Sequence, residues 1–492
     1  MRRFLPSPGT RLRLRLATLY RVVLPGVLEG LAARMRREGR LPPSLLARAL
    51  ARRLFPGLMR CKGEAAPQRP SAEVIAAART AIARFVPTEP DLARLRDLDL
   101  NGLLVVPGPI TARGLAWRRA QPLLEAPVRR MILVPWLGHG GAERVALNAF
   151  RAAEAQDGPG RTLLVVTDSR RVEAPGWLPE GARLLVLEGG EGLLLMEDRV
   201  ALVAALVQRL RPAAVLNVNS RAGWEALLRH GRPLSALTRL SAYVFCEDHD
   251  ALGRRVDYAY LHLRAVLPHL AAVYSDHAAF LDAFAAAHAL PPDERAKLRP
   301  VPQPAPAPTP PLAPPDKPFR VLWAGRITAQ KGPDLLPAIA RALPGMRFEV
   351  HGAGARDEVR AALRGAPPNL TLHGSFGDFA ALGAGRHHAF LYTARWDGLP
   401  NVLLEAGAAG LPIVTSLAGG IGELVSDATG WPVATGEDPA AYVAALRALR
   451  ADPAAATARA ARLSALIAER HSVAAHAAAL RAGSGFLWDG AS

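Results

Sequence analysis

The sequence predicts an α/β protein of two doubly wound domains with parallel sheets, preceded by a basic helical arm. Three observations predict it. Short apolar runs alternate with helical periods from residue 129 to about 299. The next nineteen residues, 300–318, contain ten prolines. The same alternation then restarts at Phe319. Strands that alternate with helices imply parallel pairing, because a parallel neighbour is reached only by a crossover. A proline run lacks ladder amides and favours a stiff polyproline spacer, so 300–318 reads as the domain linker.

Each element follows from its local pattern. MILVPW (131–136) is a buried strand and GAERVALNAFRAA (141–153) has helical period. Strands follow at 161–167 and 182–187, a helix at 198–210, a strand at 213–219 and a helix at 221–230. Residues 240–246 and 270–275 read as two more strands. Past the prolines, strands are expected at 319–325, 346–352, 369–374, 388–394 and 411–416. Helices are expected at 334–343, 357–365, 401–410, 438–450 and from about 453 to 482. The segmentation is an arm (1–65), a helical extension (66–128), a first domain (129–299), the linker (300–318), a second domain (319–460) and a C-terminal helix (461–492).

Composition narrows the class. The chain has 492 residues, half of them apolar and 21% charged, which excludes wholesale disorder. Cys61 and Cys246 lie far apart, suggest neither a disulfide framework nor a zinc knuckle, and suit a reducing, cytoplasmic compartment. The most apolar stretch, 16–32, is broken by Arg21, Pro25 and Glu29, so no spanning helix is expected, and no secretory signal is recognised.

The net charge of +18 is concentrated at one end: residues 1–60 hold fourteen Arg and two Glu. Arg far exceeds Lys, which GC-rich coding would also produce. The functional reading is a membrane-surface arm. Ser44 caps a helix in which Leu46, Leu50 and Leu54 share a face opposite Arg48 and Arg52. Such a helix lies on an anionic membrane surface. Few aromatics and no binding motif argue against nucleic acid as a partner.

Three loops carry chemistry. In WLGHGGAER (136–144) a strand ends, glycines Gly138, Gly140 and Gly141 follow, and a helix begins at once. Free amides and the helix dipole there suit a phosphate, although a plain turn has the same spelling. In AGRITAQKG (324–332), Arg326 and Lys331 stand at a strand's carboxyl end, where two cations neutralise a diphosphate without a metal. In WDGLPNVLLEAGAAGLPIVTS (396–416), Asp397 and Glu405 are eight apart. Gly398, Leu399 and Pro400 shape the turn, and the amides of Asn401 and Val402 open the next helix toward an anion. Glu405, two turns further in, is placed to accept ribose hydroxyls.

These segments, with VHGAG, LHGSF and GGIGELV in the same order, resemble family 4 of the glycosyltransferases, the retaining, nucleotide-sugar-dependent enzymes of the GT-B fold. The resemblance covers about 130–460 and is strongest over 320–432. It implies that Arg326 and Lys331 grip the donor diphosphate, that Glu405 holds the ribose, and that Gly140 and Gly141 lie near the diphosphate and acceptor. It implies that Asp397 contacts the donor sugar, although the family usually has Glu there. Where many members place a His facing the reacting sugar, YVFCEDHD (243–250) puts Cys246, so Glu247 or His249 is the candidate replacement. The alternative is a polar loop without chemistry.

Other signals are set aside. Gly352 and Gly354 lack a third glycine at dinucleotide spacing. His387 and His388, before a strand, are read as structural. Asp248, His249 and Asp250 lack a second ligand cluster, so no metal and no cofactor are expected. No G-x-S-x-G elbow supports a hydrolase. The expectation is a metal-independent glycosyltransferase acting on a glycan or lipid-linked acceptor, cytoplasmic and peripheral at the inner face of the membrane. The rivals are a nucleotide-sugar epimerase, a phosphorylase-like enzyme and an inactive nucleotide-sugar-binding subunit.

Overall fold

The computed structural model describes residues 72–87, 93, 112–173, 175–188, 194–250, 252–306, 318–434 and 436–489. The arm 1–65, its proposed amphipathic helix at 44–54 and most of the proline run lie outside the described residues. Two units separate. One comprises residues up to Pro122 with Glu188–Leu202, and includes helix α1 (Ala72–Phe85) and most of α2 (Ala112–Leu124). The other, Leu123–Leu187 with Val203 onward, contains both sheets.

The first sheet has seven strands in the order β3-β2-β1-β4-β5-β6-β7. They are β1 (Arg130–Val134), β2 (Thr162–Val166), β3 (Arg183–Val186), β4 (Ala214–Val218), β5 (Arg239–Tyr243), β6 (Leu270–Ser275) and β7 (Leu298–Pro300). The second has six in the order β10-β9-β8-β11-β12-β13. They are β8 (Phe319–Ala324), β9 (Met346–His351), β10 (Leu370–Gly374), β11 (Ala389–Tyr392), β12 (Ile413–Ser416) and β13 (Trp431–Val433). Every pairing is parallel. Both sheets reverse winding beside their first strand, between β1 and β4 and between β8 and β11. Ligands of open α/β sheets bind at such switch points, outside the carboxyl ends of the strands.

The strands are apolar because both faces are covered. In β8, Val321 and Trp323 enter one core cluster while Leu322 and Ala324 enter the other, on the opposite face. Helix α3 (Gly141–Asp157) covers the first sheet with Val145, Leu147, Ala149 and Phe150.

Several boundaries differ from expectation. The linker does not begin at 300: Pro300 ends β7, paired with Ser275 on an edge where a missing amide is tolerated. Val301 and Gln303 are buried; the Gln303 amide donates to the Tyr243 hydroxyl at 2.9 Å and accepts from Asn148 at 3.1 Å. The strand expected at 240–246 stops at Tyr243, which leaves Cys246 to Asp250 in a loop. The boundary at 461 falls inside one helix, Pro453–Arg470, which stays against the helix Asn401–Ala408 of the second sheet. The next helix, Val473–Arg481, packs on α3 of the first domain. The buried Arg130 guanidinium binds Asp157 at 2.6 Å and the Phe486 carbonyl, which anchors the C-terminal tail there. Strands β7 and β13 and the helix Ala278–Ala287 were not anticipated; the two strands are only three residues each, too short for a period to show.

Candidate functional site

The switch point of the second sheet brings the loop after β8 against the loop after β11. Thr393 staples them: its hydroxyl donates to the carbonyls of Lys331 and Gly332 at 2.9 and 3.0 Å and accepts from the Trp323 indole at 3.0 Å. Gly332 is left-handed (φ 59°), and a β-carbon there would stand 2.2 Å from the Thr393 carbonyl. This close approach sets Lys331 beside Asp397.

Lys331 is buried and ion-paired to Asp397 Oδ2. The Tyr392 hydroxyl donates to the same oxygen at 2.5 Å, and the Gly398 amide donates to Oδ1 at 3.0 Å. Burial, then the Asp397 charge, pushes the Tyr392 phenol well up, so it stays a donor. Arg326 donates to Gln330 at 3.0 Å, and the Gln330 amide reaches the Cys246 sulfur at 3.9 Å.

The first domain closes on this turn. Asp276, at the end of β6, accepts the Leu399 amide at 3.1 Å. Burial pushes its carboxyl up to about 8, with the nearby Asp397 charge adding to the effect. Gly419 is left-handed (φ 58°), and a β-carbon there would lie 1.9 Å from the Asp397 carbonyl. His277 caps the helix Ala278–Ala287: its Nδ1 accepts the Phe280 amide at 3.3 Å, so its Nε2–H donates to the Phe245 carbonyl at 3.1 Å. Glu423 of the second domain accepts the Ala278 and Ala279 amides at 2.8 and 3.0 Å.

Helix α4 (Asn401–Ala408) follows Pro400, which has no capping side chain, so the first-turn amides of Asn401 and Val402 lack a side-chain acceptor. Opposite, a β-carbon at Gly141 would be 3.4 Å from the Asn401 side-chain nitrogen, Nδ2. Glu143 folds its carboxylate over Gly140, where a β-carbon would stand 2.2 Å from Oε2. Glu405 is buried, and its carboxyl is raised by burial against the opposing pull of Arg144. Arg144 is ion-paired to it and lies 4.9 Å over the Trp177 ring.

The structure therefore gathers Arg326, Lys331, Asp397 and Cys246 at one place, and Gly141, Asn401 and Glu405 at its flank. The Gly398 and Leu399 amides are taken by Asp397 and Asp276. Glu247 does not join them; it is half exposed and paired with Arg255 at 2.9 Å. His249 lies edge-on to the Trp396 ring at 5.8 Å, and the Trp396 indole donates to Asp248 at 3.3 Å. Asp250 forms a turn, accepting the Leu252 and Arg254 amides at 2.9 and 3.0 Å. Sequence reasoning missed Arg144, Asp276 and Glu423, whose partners are remote in sequence, and Tyr392, five residues before Asp397 but inside an apolar strand. Only Arg144 carried a local signal, three residues beyond the glycine loop. The glycines of VHGAG serve close packing: a β-carbon at Gly352 would sit 1.9 Å from the Gly325 carbonyl.

Known proteins share this architecture. The chain superposes on the Anabaena protein HepE in complex with UDP and glucose with a TM-score of 0.56 at 18% identity, over 71% of this chain and 97% of that one. It superposes on the lipopolysaccharide outer core galactosyltransferase WaaB in its apo form at 0.54 and 17%, again over 71% and 97%. For sucrose-phosphate synthase from Thermosynechococcus elongatus the values are 0.55 and 15%, over 71% and 96%. In sequence, it is 33% identical over 152 residues to glycogen synthase of Mycobacterium tuberculosis, which is 29% of this chain. The chain spans about a third (36%) of the length of that curated relative. The two sheets thus form the GT-B fold of glycosyltransferases, and residues 318–452 match the family described as glycosyl transferases group 1.

Proposed function

We propose that the protein is a retaining glycosyltransferase of family 4. It transfers a sugar from a nucleoside-diphosphate sugar to a glycan or lipid-linked acceptor, with no metal at the diphosphate. One observation carries this reading: Arg326, Lys331, Asp397 and the start of α4 converge at the switch point of the second sheet. Two cations and free helix amides are what a departing diphosphate needs, since its charge grows as the sugar leaves. Lys331 then exchanges Asp397 for phosphate oxygens, and Asp397 turns to the sugar hydroxyls. Glu405 accepts the ribose hydroxyls by exchanging Arg144. His249, beside Trp396, is the better placed of the two acceptor-side candidates, because Glu247 is held by Arg255. The HepE complexes make UDP the first nucleotide to try. Among the described residues, no helix is long and apolar enough to cross a membrane. The proposed membrane contact rests on residues 1–60, and deleting them should abolish sedimentation with anionic liposomes.

The test is calorimetric titration with UDP and GDP, with and without magnesium, on the wild type and on Arg326→Ala/Lys331→Ala. Metal-independent binding that the double variant loses supports the donor site. Retention is then read from the anomeric proton of the transferred sugar. Binding without turnover on any acceptor favours the binding-subunit alternative, and free sugar released without an acceptor favours the epimerase.

A further inference from the structure

We propose that Glu349, His351, His373 and His387 form a binding site for a divalent transition-metal ion of the zinc class. The site is separate from the diphosphate loops, and the ion takes no part in neutralising the donor.

Local structure brings the ligands together. In β9, Glu349 and His351 are two residues apart and share a face, while Phe348 and Val350 point into the core on the other. The register between β9 and β10 shifts between Leu372 and Gly374. That irregularity sets His373 beside His351, with ring centroids 4.6 Å apart and planes within 10°. One ligand atom from each of Glu349, His351 and His373 lies within 4.8 Å of the others.

His387 lies outside that 4.8 Å group but against its carboxylate, from which it would supply the fourth ligand as the ion binds. Its buried ring puts Nδ1 3.1 Å from the Gly383 carbonyl and Nε2 3.1 Å from Glu349 Oε2. When Nδ1–H donates to that carbonyl, the Nε2 lone pair faces the carboxylate. A metal-ligating histidine characteristically donates its second ring nitrogen to such a partner. The 3.1 Å between Nε2 and Oε2 is close to the edge of a tetrahedron with ~2.0–2.1 Å bonds, about 3.3 Å. Arg320 holds Glu349 Oε1 at 3.0 Å and leaves Oε2 for the ion. Three imidazoles and one carboxylate suit zinc, cobalt or nickel rather than magnesium or calcium.

Such an ion would act on the donor loop through the backbone. The His351 carbonyl accepts the Gly325 amide at 3.0 Å, next to Arg326. Fixing His351 would fix that strand end and narrow the positions open to the loop.

The full chain, stripped with chelator, is titrated with Co²⁺ and followed by absorbance, with Zn²⁺ as competitor and calorimetric ligand. The expected result is one ion per chain with a tetrahedral Co²⁺ spectrum that Zn²⁺ displaces. His373 is exposed, so His373→Ala should fold as the wild type by circular dichroism while losing at least about ten-fold in Zn²⁺ affinity. His387→Gln should lower it likewise, and His288→Ala, an exposed histidine elsewhere, should leave it unchanged. Absence of a Co²⁺ spectrum and of Zn²⁺ heat overturns the proposal. So does binding that survives both His373→Ala and His387→Gln.

Discussion

Arg144 and Glu405 form an ion pair that joins the two sheets: the arginine rises from the helix after the first glycine loop, the glutamate from the helix after the Asp397 turn. Glu405 is almost fully buried, whereas Arg144 keeps partial contact with water. Removing the arginine strands a buried carboxylate. Arg144→Ala should lower stability by about 2 kcal/mol, below the range for a fully buried pair because Arg144 is partly solvated. The urea midpoint checks this, and an unchanged midpoint would show that the pair does not persist in solution.

Arg326→Ala/Lys331→Ala should reduce UDP affinity by about 100-fold or more. Each charge-assisted hydrogen bond contributes about 1.5–3 kcal/mol, and two are lost. Calorimetry on folded protein reads the loss directly. An affinity within three-fold of the wild type would place the donor elsewhere.

Asp397→Asn should separate binding from turnover. The amide keeps one oxygen, enough for the Gly398 amide, but sets an NH2 where the Tyr392 hydroxyl donated and drops the charge opposite Lys331. Nucleotide affinity should stay within a few-fold, while kcat falls about 100-fold because the sugar loses its orienting group. Equal losses in both would mean that Asp397 acts only by holding Lys331.

Asp276 should make stability pH-dependent. Its folded-state pKa, about 8, lies above the ordinary carboxyl value near 3.9. The folded chain therefore holds a proton that the unfolded chain releases. The stability this provides is complete below about pH 4 and is lost as pH rises through about 8. Asp276→Asn preserves an oxygen for the Leu399 amide and removes the titration. Between pH 5 and 8.5 the wild-type melting temperature should fall more steeply than that of the variant. Parallel slopes would assign the titration to another group.

Gly419→Ala should disturb the donor turn without touching its side chains. The left-handed backbone penalises alanine by about 1–2 kcal/mol. The added β-carbon also strikes the Asp397 carbonyl. A lower melting temperature with weakened UDP binding is expected. Gly377→Ala, which meets nothing within 4 Å, is the control.

Much of this molecule was legible in the chain because its signals are local. Period-2 and period-3.6 patterns placed nearly every strand and helix of the two sheets. Residues 270–275 and the start of the helix at 401 match the structure residue for residue. Arg326, Lys331, Asp397 and Asn401 stand out in the sequence because glycines after strands mark the carboxyl ends, where ligands of such sheets bind. The partners of those residues were not legible. Tyr392 reads as an ordinary strand residue, Asp276 as an ordinary loop acid, and Arg144 as an exposed helix charge.

The sequence by itself determined the two-sheet architecture, the order of the loops and the residue types at the switch point. Pattern and turn chemistry act over a few residues. The tertiary structure alone decided that Glu405 meets Arg144, that Asp276 lies under Leu399, and that Glu349, His351, His373 and His387 converge. These contacts join strand ends and loops from different parts of the fold, and burial gives each charge its partner only once the sheets have formed.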